Sequence, residues 1–289
     1  MSLVIAHAQD DIGFMVGDTL LSHEHFHLDN DIGPVNGEFH SLKIQILNGA
    51  TAVAFAGHFQ TAYQSICDLD AALKCAPDLD PVQWIADRQG LEQCEFLVLL
   101  NRPYQKQLFR IVDHKAQQCE RAYIGDQNEY HRLSEIRRPY EGPLVRYSQS
   151  PDGSVSALPV TEGEREFDVI SDAMEALTRE RVGRKHPTIG AISGCVIRVV
   201  DARISRELEY LQAVEVSHFP WEPRSGFTLL ASNTDRRGVG VYFRSGHRGF
   251  VLPVCGDDTC VALSEPTLES FVAAARNRFG MDLIGGTWE

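Results

Sequence analysis

The chain has 289 residues, 43% of them hydrophobic and 23% charged, and carries a formal net charge of −13 at pH 7. That length can bury a full core. The charge sets nucleic acid and anionic membrane surfaces aside as partners, because neither phosphates nor acidic lipids would attract such a chain.

No apolar run reaches the ~18 to 20 residues of a membrane span, and the opening "MSLVIAHAQDDIGF" lacks the basic and apolar regions of a secretory leader. A cytoplasmic protein is expected. Cysteines stand at 67, 75, 94, 119, 195, 255 and 260, scattered and without a Cys-x-x-Cys pair, which fits reduced thiols better than a disulfide framework or a zinc site.

In chain order, strand-like stretches come first: "LVIAHAQ", "IGFMVGD", "LKIQIL" and "TAVAFAG", the last two joined at an Asn-Gly turn signal. Helical patterns follow over 58–75, with Phe59, Ala62, Tyr63 and Ile66 on one face, and near 81–90 after "DPVQW". Strands return at "EFLVLL" (95–100) and "QLFRIVDH" (107–114), and "CERAYIG" (119–125) leads to a helix from about 127. Residues 139–161, rich in Pro, Gly and Ser, read as a long surface loop, and a helix is predicted over 163–182. The last third reads as strands "AISGCVIRVVD", "LEYLQAVEVS", "GFTLLAS", "GVGVYFRS" and "GFVLPVC", with "CGDDTC" as a turn between two strands. A closing helix is expected with Pro266 in its first turn and Gly280 at its end.

The stretch "LLSHEHFHLDND" gathers His23, His25 and His27 around Glu24, with Asp29 and Asp31 behind. "GDTLLSHEHFHLD" resembles the metal-binding stretch of the phosphotriesterase-like amidohydrolases, with Lys115, His186, His218 and Asp257 as further ligands by position. Those enzymes are (β/α)₈ barrels, in which a helical crossover follows every strand. Here "IQIL" and "AVAFAG" lie too close for a parallel connection, as do "FLVLL" and "LFRIV", so both pairs must be antiparallel hairpins. The barrel reading fails, and a mononuclear site on His23, His25 and His27, for a metal-dependent hydrolase, stays as an alternative.

A second constellation follows from the opening strands. Asp18 ends the second strand, Lys43 opens the third, and "AVAFAG" ends in Gly57 before a helix. This arrangement resembles the N-terminal nucleophile hydrolases of the proteasome β-subunit type. Ser2, sixteen residues before Asp18, then occupies the nucleophile position, "AYIGD" resembles the family's strand into a turn and helix, and "AISGCVIRVV" resembles its later Ser-Gly strand. The resemblance covers about residues 2–200 and implies an α+β fold, a four-layer αββα sandwich of two antiparallel sheets. One domain over 1–289 is expected, in which 201–289, beyond the length of a typical family member, reads as extra strands and a helix continuing the sandwich.

The resemblance also implies hydrolysis of a peptide or small amide without a cofactor, in a homo-oligomer. Ser2, Asp18, Lys43, Gly57 and Ser193 are the implied catalytic residues. His23, His25, His27, Phe55 and Asp126 are the implied substrate contacts, the histidines because the connection between the second and third strands borders the family's cleft. The chemistry stands without the family: an N-terminal serine carries its own base, an α-amine with a pKa of about 7.7 to 8.0. Lys43 would disfavour protonation of that amine, Asp18 would hold Lys43, and the Gly57 amide would donate to an oxyanion.

Departures from the family pattern are Leu20 in place of an arginine, Asp126 in place of a serine and Gly190 in place of an aspartate. They keep a catalytically inactive scaffold or binding protein of the same fold as an alternative. Asp18 and Lys43 could equally form a plain salt bridge between strands.

Overall fold

The computed structural model describes residues 3–9, 12–19, 40–102, 105–149, 155–182, 196–201, 206–216, 226–234 and 236–283. Its first four strands are β1 (Leu3–Ala8), β2 (Gly13–Asp18), β3 (Ile44–Asn48) and β4 (Thr51–Gly57), followed by helices α1 (Phe59–Cys75) and α2 (Pro81–Asp87). Next come β5 (Cys94–Arg102), β6 (Gln105–Val112), β7 (Lys115–Cys119), β8 (Arg121–Gly125) and α3 (Gln127–Ile136). The chain continues with β9 (Val145–Gln149), β10 (Val155–Pro159), α4 (Glu162–Val182), β11 (Val196–Asp201) and β12 (Leu208–Tyr210). It finishes with β13 (Ala213–Val216), β14 (Gly226–Ser232), β15 (Gly238–Phe243), β16 (Arg248–Pro253), β17 (Val261–Ser264) and α5 (Leu268–Phe279).

The fold is α+β with antiparallel sheets. A first sheet has the order β12-β11-β2-β1-β8, a second β3-β4-β5-β6-β7 and a third β13-β14-β15-β16-β17, while β9 and β10 pair only with each other. Both hairpins inferred from short spacings are present, β3 with β4 and β5 with β6.

Alternation along the strands builds the layers, because successive side chains leave a strand on opposite faces. Val4, Ala6 and Ala8 of β1 join Ala52, Ala54 and Ala56 of β4 and Leu97 and Leu99 of β5 in one buried cluster between the first two sheets. Leu3 and Ile5 face the other way, against Phe167, Ile170 and Met174 of α4 and Leu133 of α3. Val53 and Phe55 turn to Tyr63, Ile66 and Leu69 of α1 and Ile85 of α2. Strands β1 and β2 are thus covered on both faces, and all six residues of each are buried. Each fully buried Leu, Ile, Val or Phe contributes about 1.5–3 kcal/mol.

Local signals start and stop the helices. Asp80 caps α2 through the Val82 and Gln83 amides, with Pro81 as the first helical residue. Thr267 and Ser270 form a reciprocal capping box at α5, which ends at Gly280 in a left-handed conformation. Helix α5 covers the outer face of the third sheet, packing Phe271 and Ala275 on Leu230, Tyr242 and Val251. The opposite face of that sheet, with Leu229, Ala231, Val241, Phe250 and Leu252, joins the core between the first two sheets.

Several elements differ from the sequence reading. The expected two sheets are joined by the third, which takes most of the chain after residue 212. "LEYLQAVEVS" is two strands, because β12 ends the first sheet and β13 begins the third. The 139–161 loop contains the β9–β10 hairpin. Strand β7, "KAQQC", escaped notice because it is a polar edge strand whose first four residues are exposed, and Pro266 precedes the cap of α5, where the sequence placed it in the first turn. "CGDDTC" does connect two strands, β16 and β17. Among the described residues no helix is long and apolar enough to cross a membrane.

Candidate functional site

The start of β1, the end of β2 and the start of β3 meet at one end of the first two sheets. Val4 pairs with Gly17, so the antiparallel register brings Leu3 beside Asp18. The Asp18 carboxylate takes the Leu3 backbone N–H on Oδ1 at 3.1 Å and the Lys43 ammonium on Oδ2 at 2.8 Å. Both charged residues are 1% exposed. A buried ion pair survives only when its geometry compensates the lost hydration, and here the carboxylate uses both oxygens on donors.

Burial pushes the Lys43 ammonium below the usual lysine range, while the Asp18 charge and hydrogen bond act against that shift.

His40, three residues before Lys43, adds to this centre. Its Nδ1 lies 2.9 Å from Thr19 Oγ1, its ring stacks on Phe250 of the third sheet at 5.2 Å, and it too is 1% exposed. Burial first, and then the Lys43 charge, bring its pKa down to about 4, so the ring is neutral at pH 7. The Ser41 amide donates to Thr19 C=O at 2.9 Å, so segment 40–43 runs beside the end of β2. The sequence reading passed over His40 and Thr19. A histidine flanked by Phe and Ser ahead of a strand carries no periodic signal, and its neighbour Phe250 lies far along the chain.

Gly57 ends β4 at the same end of the second sheet. The Phe55 N–H donates to Lys43 C=O at 3.2 Å, which puts Gly57 two residues further along, about 7 Å at the usual strand rise. Its φ is +97°, and a β-carbon there would lie 2.0 Å from the Gln93 carbonyl oxygen. Only glycine fits. Gly57 is exposed, and the next amide, that of His58, donates to Gln93 C=O at 3.1 Å.

The structure thus joins Asp18 and Lys43 directly and sets Gly57 at the same end. Phe55 is 2% exposed and packs with Phe59 in the α1 and α2 layer, on the opposite face of β4 from the inter-sheet core. Asp126 caps α3, accepting the Asn128 and Glu129 amides at 2.8 and 3.2 Å. Ser2, Ser193, His23, His25 and His27 lie outside the described residues. Among the described residues no three His, Cys, Asp or Glu side chains gather as a metal site. No protein-family profile matches the chain, and no curated protein matches its sequence.

Proposed function

We propose that the protein is a proteasome-like N-terminal nucleophile hydrolase that cleaves a peptide or other amide bond through Ser2. The observation that carries this reading is the Asp18 carboxylate, shared between Lys43 and the amide of Leu3, the residue next to Ser2. A buried lysine held by a carboxylate that also binds the backbone of the residue following a serine is what such a nucleophile needs. The layering supports the same reading: two five-stranded sheets share a core, α3 and α4 cover one, and α1 and α2 cover the other. An αββα sandwich would be layered in this order.

In this mechanism, removal of Met1 frees the Ser2 amine. The amine accepts the Ser2 hydroxyl proton as the oxygen attacks the amide carbonyl, and Lys43 keeps the amine unprotonated by its charge. The Gly57 amide donates to the oxyanion, and collapse to an ester releases the leaving amine, which takes the proton. Water then attacks the ester and restores Ser2. His40 stays neutral and adds no second positive charge beside Lys43.

Intact mass and N-terminal sequencing of the purified protein, before and after treatment with a β-lactone or epoxyketone, test the reading. The expected result is a chain beginning at Ser2 and modified there, with no adduct in Ser2→Ala. Lys43→Met should slow adduct formation by on the order of 10²-fold, with a native circular dichroism spectrum as the folding control. A retained Met1 with no adduct overturns the proposal.

A further inference from the structure

Two cysteines far apart in the chain meet where the third sheet joins α1. Cys67 lies on α1 one turn after Tyr63, and Cys255 follows β16. Both are half-buried and free, and both pack against the α1 and α2 cluster. Three hydrogen bonds hold the Cys255 segment to its surroundings. The Cys255 N–H donates to Gln45 Oε1 at 3.0 Å, the Val254 N–H to Arg237 C=O at 3.0 Å, and the Tyr63 hydroxyl to Gly256 C=O at 3.1 Å. The Cys255 backbone is also set in a left-handed conformation, φ +46°.

The two thiols lie at one seam, since Tyr63, one turn before Cys67, donates to the carbonyl of Gly256, the residue after Cys255. Hydrogen bonding between the two thiols holds Cys67 below the usual thiol range and raises Cys255, against the burial of Cys67 and the charges of Asp70 and Asp68. The other described cysteines are arranged differently. Cys94 and Cys119 donate to the carbonyls of His58 and Leu108, and burial pushes both thiols up, as it does Cys260, to about 12. Cys75 is exposed. A cleft of about 830 Å³ is bordered by Cys255, Gly256, Asp70 and Lys74 and brings solvent and small solutes to the Cys255 side of the seam, and Cys67 is half-buried one turn before Asp70 on the same helix.

We propose that Cys67 and Cys255 form a reversible disulfide that staples the third sheet to α1 when the protein meets a hydroperoxide. The Cys67 thiolate attacks the peroxide, the O–O bond breaks, and Cys67 becomes a sulfenic acid as the leaving oxygen departs as water or alcohol. The Cys255 sulfur then attacks Cys67. The S–O bond breaks, the hydroxide leaves as water with the Cys255 proton, and an S–S bond forms. Two thiols are oxidised and one peroxide is reduced. Thiol-based reductants reverse the step.

Treatment of the full chain with one equivalent of hydrogen peroxide, then alkylation and non-reducing peptide mapping, tests this. The expected product is a cross-linked peptide pair containing Cys67 and Cys255, lost on dithiothreitol treatment, with Cys75 alkylated as before. Oxidation should raise the thermal midpoint of the wild type and leave Cys67→Ser unchanged. In Cys255→Ser the oxidation should stop at Cys67 as a dimedone-reactive sulfenic acid. Recovery of both cysteines as separate alkylated peptides, a bridge to any other cysteine, or sulfinic acid on Cys67 with Cys255 still free overturns the proposal.

Discussion

Two buried polar centres flank β3, and they are built from opposite materials. At its start, Lys43 and Asp18 form an ion pair that shares a backbone amide. On its edge, the Tyr210 hydroxyl donates to Ile44 C=O at 2.8 Å and accepts the Ile46 N–H at 2.9 Å, while Asn233 bonds both the N–H and C=O of Tyr210. The neutral centre joins the first sheet to the second strand by strand, and its full set of partners makes burial inexpensive. An ion pair could join them no better: well-packed apolar residues of similar volume commonly match or exceed a buried pair in stability. The ion pair at Lys43 is therefore where the proposed chemistry and simple architecture make different predictions.

The sharpest way to break the comparison is to halve the ion pair. Asp18→Ala leaves Lys43 buried without a counter-charge and should cost about 3–5 kcal/mol in urea unfolding. Replacing both residues, Asp18→Leu with Lys43→Met, should recover most of that stability while the reaction with a β-lactone stays lost. If the double variant is as unstable as the single one, the pair is structural and the contrast with Tyr210 fails.

Acid acts next through His40. Its folded pKa of about 4 lies below the ordinary 6.5, so the stability linked to its neutral form is fully present above pH 6.5. It falls away as the pH drops through 4. The loss should approach ~3 kcal/mol, read as the difference between wild type and His40→Gln in urea titrations across that window. Equal pH profiles for the two proteins would remove His40 from the account. The smallest effect is expected at the neutral centre, where Tyr210→Phe strips partners from one N–H and one C=O and should cost about 1–3 kcal/mol.

Much of this was legible because it is local. Asp18 and Lys43 sit at strand ends marked by alternation and turn residues. Gly57 falls where a strand meets a helix, and its φ of +97° accounts for the residue type. The antiparallel hairpins followed from connection length alone, which was enough to reject a barrel. The capping aspartates show how local such signals are: Asp126 stands at the position of a substrate contact by resemblance, and its Oδ1 accepts two helix amides. Phe55 stands at a pocket-floor position by resemblance, and period-two alternation turns it to the helix layer.

By itself, then, the sequence marked most of the strands and helices in their order, since periodicity, caps and turns act over a few residues, while the polar strand β7 and the β9–β10 hairpin carried no such signal. Only the tertiary structure decided where the last third of the chain goes. "LEYLQAVEVS" reads as one strand, and a break after Tyr210 assigns its halves to different sheets because the edges of β11 and β14 each accept one half. The same packing brought Phe250 onto His40, Tyr210 onto β3 and Gly256 onto Tyr63. Such meetings depend on how sheets stack, and no spacing along the chain encodes them.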